Sequence, residues 1–192
     1  NLLSEEKEKR EASKKRILMS AERAHYLGAK NVVFHSGYFG KLGEKEAFEI
    51  VKHEIEEMNE VIKESKWNVM LCPETGGKFS QFASTEILLE LSREAKCGIC
   101  VDFAHIKACN NGKIDYAEVL NMLKNIEEIH SHYSGVTFTE KGERSHIAID
   151  EMDFEQLAKE LLKRKTNITI ICESPLTWKD AVKMNEIISK LS

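Results

Sequence analysis

Apolar residues along this chain follow two alternating rhythms: short continuous runs, and longer stretches with a helical period. From Ser4 to Leu27, the residues Ile17, Ala21, Ala24 and Leu27 recur at spacings of three and four. That predicts a helix with one buried stripe, N-capped by Ser4 and stopped by Gly28. Val32-Val33-Phe34 follows, β-branched and too short for a helix, so it reads as a strand. Glu44 to Ser65 returns to the helical period, with Phe48, Val51, Ile55, Met58 and Ile62 on one face. Asn68 to Cys72 is a second strand, closed by Pro73. Ser84 then caps a helix through Ala95, Gly98 to Val101 forms a strand, and Asp115 to Asn125 is helical. Ile126 to Ile129 leads into a strand through His132, and Asp153 caps a helix to Lys163. Ile168 to Cys172 is the last strand and Lys179 to Lys190 the closing helix.

One helix followed by five strand–helix units predicts a parallel sheet covered by helices, because parallel strands need crossover connections. An open doubly wound sheet and a (β/α) barrel both satisfy this order. No Gly-rich phosphate loop follows any strand, so the dinucleotide-binding version of the open sheet lacks its signature. The strand ends decide for the barrel. His35 follows Phe34, Glu74 follows Pro73, and Asp102 follows Val101, with His105 three residues on. Ile129 is followed by His130 and His132, and Glu173 follows Cys172. In a barrel these ends converge on one face, where active sites of that fold lie. Any one of these residues alone has a bland reading as a packed or surface side chain. Together, imidazoles and carboxylates without a thiolate favour zinc or manganese in a catalytic setting. Several carboxylates also allow one to bridge two ions, an arrangement suited to phosphoryl chemistry.

Composition narrows the setting. The chain has 192 residues, 42% hydrophobic and 31% charged, enough for one core and without a linker, so a single domain over 1–192 is expected. Five Cys, an odd number, point to reduced thiols, and no apolar run approaches a membrane span. A cytoplasmic protein without membrane contact is therefore expected. The formal charge of −4 gives no overall basic footprint for nucleic acid, although a local patch can supply one. His25 and His53 lie within helices and read as surface residues, and Cys97-Gly98-Ile99-Cys100 is a lone pair without the second pair of a zinc ribbon. Lys78 and Arg144 sit in loops on the strand-end side, as phosphate contacts or as plain surface charges.

The ordered strings NVVFHSG, LCPETGG, GICVDFAH, IHSHYSG, GERSH and IICESP resemble the endonuclease IV family, zinc-dependent AP endonucleases of the xylose isomerase-like barrel superfamily. The resemblance runs from about residue 31 to 175. It implies two to three zinc ions, with manganese as an alternative. His35 and Glu74 would hold the first, Glu74 bridging to a second held by Asp102, His130 and Glu173. His105 and His146, with Glu143, would hold the third. Glu74 and Glu173 would stand beside the attacking water, and the substrate would be duplex DNA with an abasic site, cleaved on its 5′ side by a monomer. In the family an acidic residue stands two before the last His, whereas here Glu143 stands three before His146. His132 shares a strand face with His130 and is its rival. A single-metal sugar isomerase or epimerase of the same superfamily, or a non-catalytic fragment, are the alternatives. Five strands against the eight of a complete barrel also set the expectation of an N-terminally truncated domain, with three strands preceding Asn1.

Overall fold

A computed structural model describes residues 1–192, which divide into two compact units, 1–100 and 101–192. In the first, α1 (Lys7–Leu27) begins later than its sequence suggests. Glu6 occupies the N-cap without a side-chain bond, while Ser4 Oγ accepts the Glu6 N–H at 3.3 Å in the turn before it. Gly28 ends the helix in the left-handed region (φ 73°), a conformation glycine adopts without Cβ strain. β1 (Asn31–Phe34) is followed by β2 (Gly37–Tyr38) and α2 (Glu44–Glu64). The predicted stripe of α2 is buried throughout, with Val51 and Ile55 fully inaccessible. Each such side chain contributes roughly 1.5–3 kcal/mol by leaving water.

β3 (Met70–Pro73) pairs in parallel with β1, setting Val32 against Leu71 and Phe34 against Pro73. β4 (Gln81–Phe82) pairs antiparallel with β2. These two-residue strands carry too few positions for any periodicity to announce them. Ser84 caps α3 (Thr85–Ala95) as expected, accepting the Ile87 N–H at 3.4 Å.

The second unit holds β5 (Cys100–Asp102), which starts at the boundary, and α4 (Phe103–Cys109), which follows at once. Asp102 ends the strand and caps the helix, its Oδ1 accepting the His105 N–H at 2.9 Å. α5 (Tyr116–Met122) is capped by Asp115. β6 (Ile129–Tyr133) leads into a hairpin of β7 (Gly135–Thr139) and β8 (Gly142–Ile147), which the apolar pattern does not predict. Next comes α6 (Glu151–Arg164), capped by Asp150, which accepts the Met152 and Asp153 N–H groups. The expected cap, Asp153, is instead one turn inside, with its carboxylate directed to Tyr116 and Tyr133. β9 (Ile168–Cys172) and α7 (Trp178–Leu191) complete the chain. β5, β6 and β9 form one sheet in that order, with β6 and β9 parallel. Phe154, Leu157 and Ala158 of α6 are fully buried, and Phe154 meets the Tyr133 ring edge-on.

Candidate metal centre

The register of the parallel strands dictates which side chains meet at their ends. In the first unit Phe34 lies opposite Pro73, so the next residues, His35 and Glu74, are neighbours. His35 Nε2 stands 3.5 Å from Glu74 Oε2; the carboxylate is buried and the imidazole more open.

In the second unit Asp102 is fully buried and His105 is 3% exposed. One turn of α4 brings His105 Nε2 back to 3.7 Å from Asp102 Oδ2. The same nitrogen is 3.6 Å from Glu143 Oε2, and His146 Nε2 is 3.6 Å from Glu143 Oε1. Ligand atoms of Asp102, His105 and His146 all lie within 4.8 Å of one another. Ser134 Oγ is 2.6 Å from His146 Nδ1, which fixes the ring and leaves Nε2 facing the carboxylate.

Glu143 and His146 share a face although they are three apart, and the hairpin explains how. Thr137 pairs with Ser145, but the next residue, Phe138, pairs with Glu143, so Arg144 is an extra residue in β8. This β-bulge resets the two-residue alternation and brings Glu143 onto the face of His146. The spacing that departs from the endonuclease IV pattern therefore still yields a His–carboxylate pair. Phe138 also seats the hairpin, since its ring lies where a Cβ on Gly112 would have to be.

Register also separates His130 from His132. His132 pairs with Ile171, and Glu173 continues the same face two residues further on. His132 Nδ1 is 3.3 Å from Glu173 Oε1, and His132, Glu173 and Asp102 offer ligand atoms within 4.8 Å of one another. His130, favoured by family spacing, pairs with Thr169, two residues further back or about 7 Å along the strand. It touches the His132 ring edge-on at 5.8 Å, and the two imidazoles offer ligand atoms within 4.8 Å of each other.

The donor chemistry fits a metal. The five His–carboxylate separations at the strand ends and hairpin fall between 3.3 and 3.7 Å. A charge-assisted hydrogen bond is closer to 2.7–2.9 Å. Two ligands about 2.1 Å from a tetrahedral zinc are about 3.4 Å apart, the spacing seen here. Asp102 belongs to both groups of the second unit and has two oxygens to divide between them.

Other candidates stay outside these groups. His25 Nδ1 accepts the Asn68 N–H, and His53 pairs with Glu57 along α2. Arg144 is the exposed bulge residue, and Lys78 begins a turn in which Gln81 Oε1 accepts the Gly77 and Lys78 N–H groups, each at 3.0 Å. Cys97 and Cys72 are buried, and burial pushes both thiols up to about 12. No helix is long and apolar enough to cross a membrane. Ser134 escapes sequence reading, because nothing in HYSG marks a serine that buttresses a histidine twelve residues away.

Residues 1–187 match the xylose isomerase-like TIM barrel family, and the chain belongs to that family, as its strand order and strand ends predict. An uncharacterized protein of Methanocaldococcus jannaschii is 34% identical over 203 residues, covering 100% of this chain and 74% of that protein. Probable endonuclease 4 of Mycoplasmopsis synoviae is 25% identical over 173 residues, covering 83% of this chain and 61% of its own length. Among solved structures, a D-tagatose 3-epimerase-like protein aligns with a TM-score of 0.73 at 23% identity, over 99% of this chain and 72% of that one. The IolI protein, whose crystal structure has a binding zinc atom, aligns with a TM-score of 0.69 at 16% identity, over 98% of this chain and 73% of that one. At these identities the structural likeness establishes the fold.

Proposed function

We propose that this chain belongs to a metal-dependent AP endonuclease that hydrolyses the phosphodiester 5′ to an abasic site in duplex DNA. The observation that carries this reading is the second ligand group of residues 101–192. Beside Asp102, His132 and Glu173, the chain builds His105, Glu143 and His146 from a separate helix and hairpin. Asp102 is the carboxylate common to both. A reaction needing one ion has no use for that second group. His35 with Glu74 adds a further His–carboxylate pair. Zinc, two to three ions per chain, would neutralise phosphate charge and lower the pKa of water in such a site. Under this reading Glu74 and Glu173 are the carboxylates that would take up the proton of the attacking water, Glu173 being partly exposed to solvent. Ser134 keeps His146 oriented, and Lys78 and Arg144 are the cations available to DNA phosphates. The similarity to Probable endonuclease 4 supports the same assignment.

A second reading, a sugar epimerase, is favoured by the D-tagatose 3-epimerase-like neighbour and by the net charge of −4. It needs one divalent ion and carboxylates that move a proton beside a carbonyl. Elemental analysis of protein purified without chelator, together with a duplex bearing one tetrahydrofuran abasic analogue, separates the two. Two or three zinc ions and a 5′ nick are expected. One ion per chain, no nick, and proton exchange into a ketose would overturn the nuclease reading.

A further inference from the structure

Behind the candidate ligands lies a polar junction that the proposed function leaves unused. One oxygen of Asp153, Oδ2, accepts from Tyr116 Oη at 2.9 Å, Tyr133 Oη at 3.0 Å and Lys107 Nζ at 2.8 Å. The four residues come from four elements: α4, α5, β6 and α6. Tyr133 and Tyr116 are only 1% and 5% exposed, so their hydroxyl groups are committed to this carboxylate rather than to solvent.

Two of the donors sit on segments that carry ligands. Tyr133 follows His132 directly, and strand alternation sends the two side chains to opposite faces of β6. Lys107 is two residues after His105, about 200° around the helix from it. Asp153 thus grips the rear of the same two segments whose fronts present the imidazoles. The grip matters because α4 has only seven residues, too few to hold its own position in isolation. Asp102 fixes its first turn and Lys107 ties down its last.

We infer that Asp153 is a positioning residue, which fixes α4 against β6 and thereby sets the separation between the His105 and His132 imidazoles. The inference rests on the metal-binding reading above. Tyr116 supplies an internal control. It gives the same kind of hydrogen bond to the same oxygen from an equally buried site, but α5 carries no candidate ligand.

The test titrates Co(II) into the full chain freed of metal, for wild type, Tyr133→Phe, Tyr116→Phe and Asp153→Asn. Apo melting curves are recorded for each. Tyr133→Phe and Asp153→Asn should weaken Co(II) binding about tenfold, the low end for outer partners of metal ligands. Their visible absorption bands at saturation should also shift. Tyr116→Phe should lose a similar amount of apo stability yet keep affinity within about twofold and leave the band in place. Equal Co(II) affinity and identical bands for the two tyrosine variants would overturn the inference. A wild-type chain that binds no Co(II) refutes the metal reading and this inference with it, which a failure confined to the variants does not. If Asp153→Asn does not fold, the tyrosine pair decides by the same two readings.

Discussion

Asp180 offers a direct test of how the strand-end loops are held. It lies in the first turn of α7 and is fully buried. Its Oδ2 accepts from Ser174 Oγ at 2.6 Å and from the Ile149 N–H at 3.0 Å, while Lys183 Nζ is 3.1 Å from Oδ1. Ser174 follows Glu173, and Ile149 lies three residues beyond His146, so one carboxylate anchors both loops. Burial by itself raises the carboxyl pKa, but Ser174, Ile149 and Lys183 outweigh it and hold the group below the ordinary range. Its contribution to stability is therefore present above the unfolded pKa of about 3.9 and is lost as pH falls through the lower folded value. Asp180→Asn keeps an acceptor for both donors and removes the charge. A hydrogen bond to a charged group contributes about 1.5–3 kcal/mol, against about 1 for a neutral one. Converting two of them should cost about 2 kcal/mol at pH 7, or about 4–8 °C in Tm for a chain of this size. Urea midpoints of both proteins between pH 7 and pH 3 measure it. The gap should begin to narrow below about pH 4, where the unfolded carboxyl takes up its proton, and close only below the lower pKa of the native carboxyl. A gap that persists unchanged to pH 3, or one under about 0.5 kcal/mol at pH 7, refutes the reasoning.

Other outcomes follow from the same geometry. His105→Ala should lower the metal content by one ion per chain while the remainder stays bound, as read by elemental analysis. Cys72 and Cys97, with thiols pushed up to about 12, should resist alkylation at pH 8, where only about one in ten thousand is thiolate; mass spectrometry after native and denatured labelling checks this. Gly112→Ala places a side chain at a positive φ of 79° and against the Phe138 ring, so it should destabilise the chain by at least about 1 kcal/mol, seen as a lower Tm.

What the sequence discloses, and what it hides, follows from where the determining contacts lie. The α2 stripe is legible because Phe48 to Ile62 repeat every three or four residues and every one is buried. The strand ends are legible because short β-branched runs stop at polar residues. α4 is concealed because Asp102 serves both strand and helix, so no loop residues announce the transition. The hairpin is concealed because both faces of GVTFT and GERSHI reach solvent, leaving no apolar alternation to read. Choosing between His130 and His132 requires the register against β9, which depends on residues nearly forty positions away. Asp153 looks like a helix cap because its role comes from tyrosines on other elements.

The extra residue in β8 frees one position of the hairpin from the pairing of its strands. A bulge absorbs one extra position, so Glu143 and His146, three residues apart, share a face that strict two-residue alternation would deny them. Arg144 is thereby relieved of any duty in the ladder. It stands at the rim as a position where charge, size or hydrogen-bonding character can be exchanged while the donors behind it keep their places. An exchange at Arg144 should therefore alter what approaches the Glu143–His146 pair while leaving the pair itself in place.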